Sequence, residues 1–154
     1  MNKGLIIVGV VIAMVIGFMA DRKIELCEVG SIGALTSTYT VITSQDQLQS
    51  LWPAFWNPGT PPQVDFDREV LIGAFLGKCS TGGYSIKIEK VTKRKGQLIV
   101  HTKIQRPGPE DIVIMVITYP GHVVSIPKKA LDGANAVIFL DQNQRILGEV
   151  PLTK

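Results

Sequence analysis

Tyr84-Ser85-Ile86-Lys87-Ile88-Glu89 alternates apolar and polar residues, and Leu98-Ile99-Val100-His101-Thr102-Lys103-Ile104 alternates back. Between them stands Lys93-Arg94-Lys95-Gly96-Gln97. Side chains on an extended chain point to opposite faces with a period of two, so each run reads as a half-buried strand. The basic, glycine-containing segment between them reads as a hairpin turn. This pair of strands decides the fold class.

Further strands are predicted on both sides. Glu69 to Leu76 is an almost unbroken apolar run, which suits a central strand. Thr38-Tyr39-Thr40-Val41-Ile42-Thr43 is β-branched and aromatic and reads as the first strand of the domain. Ile112 to Tyr119 is apolar throughout and is expected to be a strand buried on both faces. Val123–Ile126, Ala136–Leu140 and Arg145–Val150 supply the remaining short strands, with Asp141-Gln142-Asn143-Gln144 turning the last hairpin. One helix interrupts the series. Ser44-Gln45-Asp46-Gln47 fits a capping box, and Leu48, Leu51, Trp52 and Phe55 share a helical face. Pro53 keeps that helix short or kinks it, and Asn57 to Pro62 reads as a loop. The expected fold is mainly β, an antiparallel β-sandwich or partly open barrel of about eight strands with one short N-terminal α-helix.

The chain has 154 residues and a net charge of +3. Sixteen basic and thirteen acidic residues are intermixed, and no broad basic face of the kind that nucleic-acid binders use is visible. Leu5 to Ala20 contains no charge, follows Lys3 and is closed by Asp21-Arg22-Lys23. A segment apolar on every face at the N-terminus reads as a signal peptide or a membrane anchor. Its length lies between a secretory apolar region and a full span. Phe18 would stand third from the end if the chain were cut after Ala20, which disfavours cleavage, so a retained anchor is the favoured form. The expected organisation is 1–20 signal or anchor, 21–37 connector and 38–154 one β domain, exported and either held at the outer face of the membrane or released.

Enzyme signatures are scarce. There is no Gly-x-Ser-x-Gly elbow and no phosphate-binding glycine loop followed by lysine. His101 falls in the strand alternation, and His122 follows Gly121 with no companion ligands at metal-binding spacing. Asp65 and Asp67 flank Phe66 and read as the polar approach to the Glu69 strand. Cys27 and Cys79, the two cysteines of the chain, are a candidate disulfide in an exported protein. No catalytic residue, metal or cofactor is nominated. The most distinctive local feature is Gly77-Lys78-Cys79-Ser80-Thr81-Gly82-Gly83-Tyr84, whose paired glycines allow a sharp turn and an exposed loop.

The ordered blocks Val64-Asp65-Phe66-Asp67-Arg68-Glu69, Phe75-Leu76-Gly77, Thr81-Gly82-Gly83-Tyr84, Arg106-Pro107-Gly108-Pro109 and Thr118-Tyr119-Pro120 resemble the PrcB C-terminal domain family. The resemblance runs from about Thr40 to Pro127. Glu110 replaces a further glycine common in that family, and Ile114-Met115 replace polar residues. The family is named for a lipoprotein subunit of a bacterial surface protease complex. The resemblance implies an exported, non-catalytic accessory domain and no known active site. The expected function is an interaction module for a protein partner, such as a protease, with contact through the exposed loops at Thr81, Gly82, Gly83 and Tyr84 and at Arg106, Pro107 and Gly108. The same two loops are similar, over fewer residues, to those of chagasin-like cysteine-protease inhibitors. Cys79-Ser80 stand where those proteins have Asn-Pro, and Gly108 where they have Trp. That similarity implies the alternative function of a protease inhibitor.

Overall fold

The computed structural model describes residues 22–24, 26–30, 33–34, 36–56 and 59–152. Leu5–Ala20 lies outside them, and no described helix is long and apolar enough to cross a membrane.

The alternating pair forms the strands β7 (Ser85–Arg94) and β8 (Gln97–Gln105). The turn joining them holds Lys95 and Gly96 at φ of 49° and 75°, the two positive values that a tight two-residue hairpin needs. The inward side chains Ile86, Ile88, Val91, Leu98 and Val100 are buried. β7 and β8 sit in a five-stranded sheet of order β1-β7-β8-β10-β11, with β1 at Arg22–Ile24, β10 at Ala136–Leu140 and β11 at Ile146–Pro151. The second sheet has the order β2-β9-β6-β4, from Cys27–Gly30, Gly121–Pro127, Glu69–Leu76 and Ser37–Ile42. A two-residue ladder pairs β3 (Gly33–Ala34) with β5 (Phe55–Trp56).

The two sheets enclose one core, to which Val70, Ile72, Val124, Val137 and Phe139 contribute. The other face of β6 packs with α1 (Gln45–Leu51) through Ile42, Leu48, Trp52, Leu71 and Phe75. β6 is therefore covered on both sides, which explains its unbroken apolar run. The helix begins as its cap predicts. Ser44 Oγ accepts the Gln47 N–H at 3.2 Å, and Gln47 Oε1 accepts the N–H of Thr43 at 2.9 Å. At Trp52-Pro53-Ala54 the helix tightens into a 3-10 turn, because proline cannot continue the α-helical ladder.

The fold is mainly β with one short helix and no closed barrel, as expected. Four details differ from the sequence reading. Ile112–Tyr119 is an irregular loop, not a buried strand. Phe55 lies in β5, not on the helix. The presumed connector contributes β1, β2 and β3. Finally, β10 runs parallel to β8 within an otherwise antiparallel sheet. The chain leaves β8, crosses the second sheet as β9 and re-enters beside the start of β8, with Ala136 opposite Gln97, so the direction is retained.

His122 is buried in β9, where its Nδ1 accepts the Ile88 N–H at 3.1 Å across the core. That N–H lies beside the irregularity between Ile88 and Lys90 in β7. Replacing His122 with alanine would strand a buried donor and leave a void. We expect a loss of about 2 kcal/mol, read as a shift of the urea midpoint.

Candidate interaction site at the loop end of the sandwich

β6 and β8 both end at the same edge of the molecule as the start of β7. Two loops therefore meet there, 77–84 and 106–120. Their backbones zip together without forming a strand pair. Leu76 N–H donates to Pro120 O at 2.9 Å. Cys79 and Thr118 exchange two bonds, of 2.8 and 3.0 Å, and Gly82 N–H donates to Ile114 O at 2.9 Å. Thr118 Oγ1 donates to Thr81 O at 2.9 Å. A turn at Gly108–Asp111 starts the second loop, where Asp111 Oδ2 accepts the Gly108 N–H at 2.7 Å.

The paired glycines are what allow this contact. A Cβ on Gly82 would stand 2.8 Å from Ile114 Cγ1. Gly83 has φ of 83°, and its Cβ would lie 3.0 Å from Val113 Cγ1 and 3.1 Å from Pro107 Cβ. The structure thus brings Gly82, Gly83 and Pro107 together. Gly82 is buried, Thr81 and Tyr84 are half-buried, and Gly83, Arg106 and Gly108 are exposed. Tyr84 borders a cleft of about 220 Å³ together with Ile86, Tyr119 and Pro120. The Thr-Gly-Gly-Tyr segment is a cradle rather than a protruding loop.

The residues that protrude were not nominated by the sequence. Ile112, Met115 and Ile114 are 103%, 84% and 70% exposed, and Val116 and Ile117 are also exposed. Five large apolar side chains exposed within six residues make a surface of the kind that marks interaction sites. Like β6 the run is long and almost wholly apolar, so hydrophobicity alone does not separate the two. Its backbone is already held by the cradle, so ordering it for contact has little further entropic cost.

Cys79 is a free thiol. Burial pushes its pKa up, and the nearby Arg106 guanidinium offsets this only in part, so the thiol stays protonated near neutral pH. The expected bond to Cys27 is not formed. Cys27 pairs in register with Ser125, whereas Cys79 pairs with Thr118, seven positions further along the same chain. That offset is roughly 20 Å on an extended chain, well beyond the Cα spacing a disulfide permits. The side chain of Cys27 lies outside the described residues.

The other sequence candidates take structural places. Asp65 Oδ1 accepts the Asp67 N–H at 3.2 Å in the turn before β6, and Phe66 packs against the helix-side core. His101 stands 3.2 Å from Thr92 Oγ1 on the outer face of the five-stranded sheet. Among the described residues no three His, Cys, Asp or Glu side chains gather in a metal-binding group.

The cradle and the apolar loop both fall between the start of β6 and the end of β9. Residues 70–127 match the PrcB C-terminal family. The PrcB C-terminal match thus covers β6 to β9 and the whole loop end, but begins later than the resemblance read from Thr40. α1, β10 and β11 lie outside it. No curated protein and no solved structure matches the chain.

Proposed function

We propose that this chain is a non-catalytic interaction domain, exported and held at the outer face of a membrane by Leu5–Ala20, that docks a protein partner through Ile112–Ile117. The supporting observation is the exposed aliphatic loop, seated by backbone hydrogen bonds with Cys79 and Gly82. Water-exposed isoleucines at such a loop are costly unless a partner covers them. The PrcB C-terminal match supports an accessory role, and the partner class we assign is a surface protease or another envelope protein. The protease-inhibitor reading has less support, because Gly82 is covered by Ile114 instead of projecting toward a cleft.

The test is crosslinking in the native host from a photoreactive residue at position 115. We expect one envelope protein to be captured, and at least a tenfold loss of capture when Ile112→Asp is added. Ile112 is fully exposed, so this substitution leaves the core intact. Equal capture with and without Ile112→Asp would sink the proposal.

A further inference from the structure

The described chain begins at the end of the sandwich opposite to the apolar loop. β1 sets Arg22 opposite Lys93 and Ile24 opposite Val91, so the chain arrives beside the β7–β8 turn. In the sequence, Asp21 alone separates Ala20, the last residue of the uncharged run, from Arg22. A retained anchor would therefore deliver the domain to the bilayer with this end first.

That end carries a fixed basic cluster. Lys93 Nζ donates to the carbonyls of Ala130, at 3.1 Å, and Asp132. Asn135 N–H donates to Gly96 O at 2.8 Å. These bonds hold the β7–β8 turn against the 3-10 turn Lys128–Leu131 that follows β9. Arg94, Lys95, Lys128 and Lys129 are all exposed around the junction. Lys128 and Lys129 share an open cleft with Arg68 and with the carboxylates of Asp65, Asp67, Glu69 and Asp132. Lys128 Nζ donates to Phe66 O at 2.8 Å, which leaves Arg94, Lys95 and Lys129 as the outward cations of this end. The carboxylate of Asp65 is already engaged by its own turn.

We infer that this end is a contact surface for anionic lipid headgroups, which seats the domain upright on the bilayer that holds its anchor. The inference rests on reading Leu5–Ala20 as a retained anchor. Basic residues next to a membrane anchor are drawn to anionic lipid over about one Debye length. The ten residues of β7 span roughly 30 Å from one end to the other. Ile112–Ile117 is then carried about that far from the headgroups, toward a partner and away from its own bilayer. An apolar loop inserted in the same bilayer would require the domain to lie on its side.

The experiment uses the full chain reconstituted into vesicles of phosphatidylcholine alone or mixed with phosphatidylglycerol. A donor fluorophore is placed at Lys95→Cys or Met115→Cys, with Cys27→Ser and Cys79→Ser, and headgroup-labelled lipid serves as acceptor. We expect strong transfer from position 95 and weak transfer from position 115. In anionic vesicles, transfer from position 95 should fall to the neutral-vesicle level in high salt or with Lys129→Glu. Position 115 lying as close to lipid as position 95, or a signal at 95 indifferent to lipid charge and salt, would overturn the inference. A chain that floats with neither vesicle overturns the anchor reading itself, and this inference with it.

Discussion

Gly83→Val is expected to lift the apolar loop from its cradle while leaving the core folded. At φ of 83° a β-branched side chain is forced into the left-handed region, at a cost of about 1–2 kcal/mol. The added atoms also meet Val113 Cγ1 and Pro107 Cβ, which already stand 3.0 and 3.1 Å from an ideal Cβ. Relieving such overpacking typically costs another ~1–3 kcal/mol. The total, roughly 3 kcal/mol, exceeds the net worth of the single Gly82–Ile114 hydrogen bond, about 1 kcal/mol. The loop therefore yields before the sandwich does. Amide hydrogen exchange reads this directly. Protection at Gly82 should fall to that of an open loop amide, a drop of about fivefold for a bond worth about 1 kcal/mol. Capture from position 115 should fall with it. Unchanged protection at Gly82 would mean that the glycines do not hold the loop.

Phe139→Ala is expected to cost about 3–5 kcal/mol of global stability. Phe139 is fully buried in β10, between the two sheets. Its ring packs against Tyr39 of β4 with centroids 5.2 Å apart and planes tilted by 43°. This contact joins the five-stranded sheet to the edge strand of the four-stranded one, so truncation opens a void where the sandwich is closed. Urea unfolding would show the loss, and a change below about 1 kcal/mol would contradict the packing described. The two substitutions separate the roles of the molecule. Phe139→Ala weakens the scaffold, while Gly83→Val disables the surface it carries.

Much of the scaffold was legible because its signals are local. The period of two in β7 and β8, the Lys95-Gly96 turn and the Ser44 cap each depend on residues a few positions apart. The long apolar run of β6 was also read correctly as a central strand. The identical reading of Ile112–Tyr119 failed. Both runs are long and apolar, and nothing within either tells how many neighbours it will find. β6 lies between β4 and β9 and is covered by the opposite sheet and by α1. The 112–119 segment is held through backbone bonds to Cys79 and Gly82 and leaves Ile112, Ile114, Met115, Val116 and Ile117 exposed. The departure from the family pattern at Ile114-Met115 fell in this segment, where polar residues would have been unremarkable on an exposed loop. The parallel placement of β10 was equally hidden, because it depends on where the chain returns after β9.

By itself, the sequence determined that the chain makes a β domain with one capped helix, a basic hairpin and a glycine turn ahead of Tyr84. It also supplied the uncharged N-terminal run, which is a matter of composition. Only the tertiary structure decided what the glycines are for and which apolar run stays outside. Hairpins and caps follow from steric and hydrogen-bonding rules acting along the chain. Burial is a competition for a limited number of covered positions, and its outcome depends on residues far apart in sequence. Ile112–Ile117 lost that competition, and the surface left exposed is the one through which we expect the domain to act.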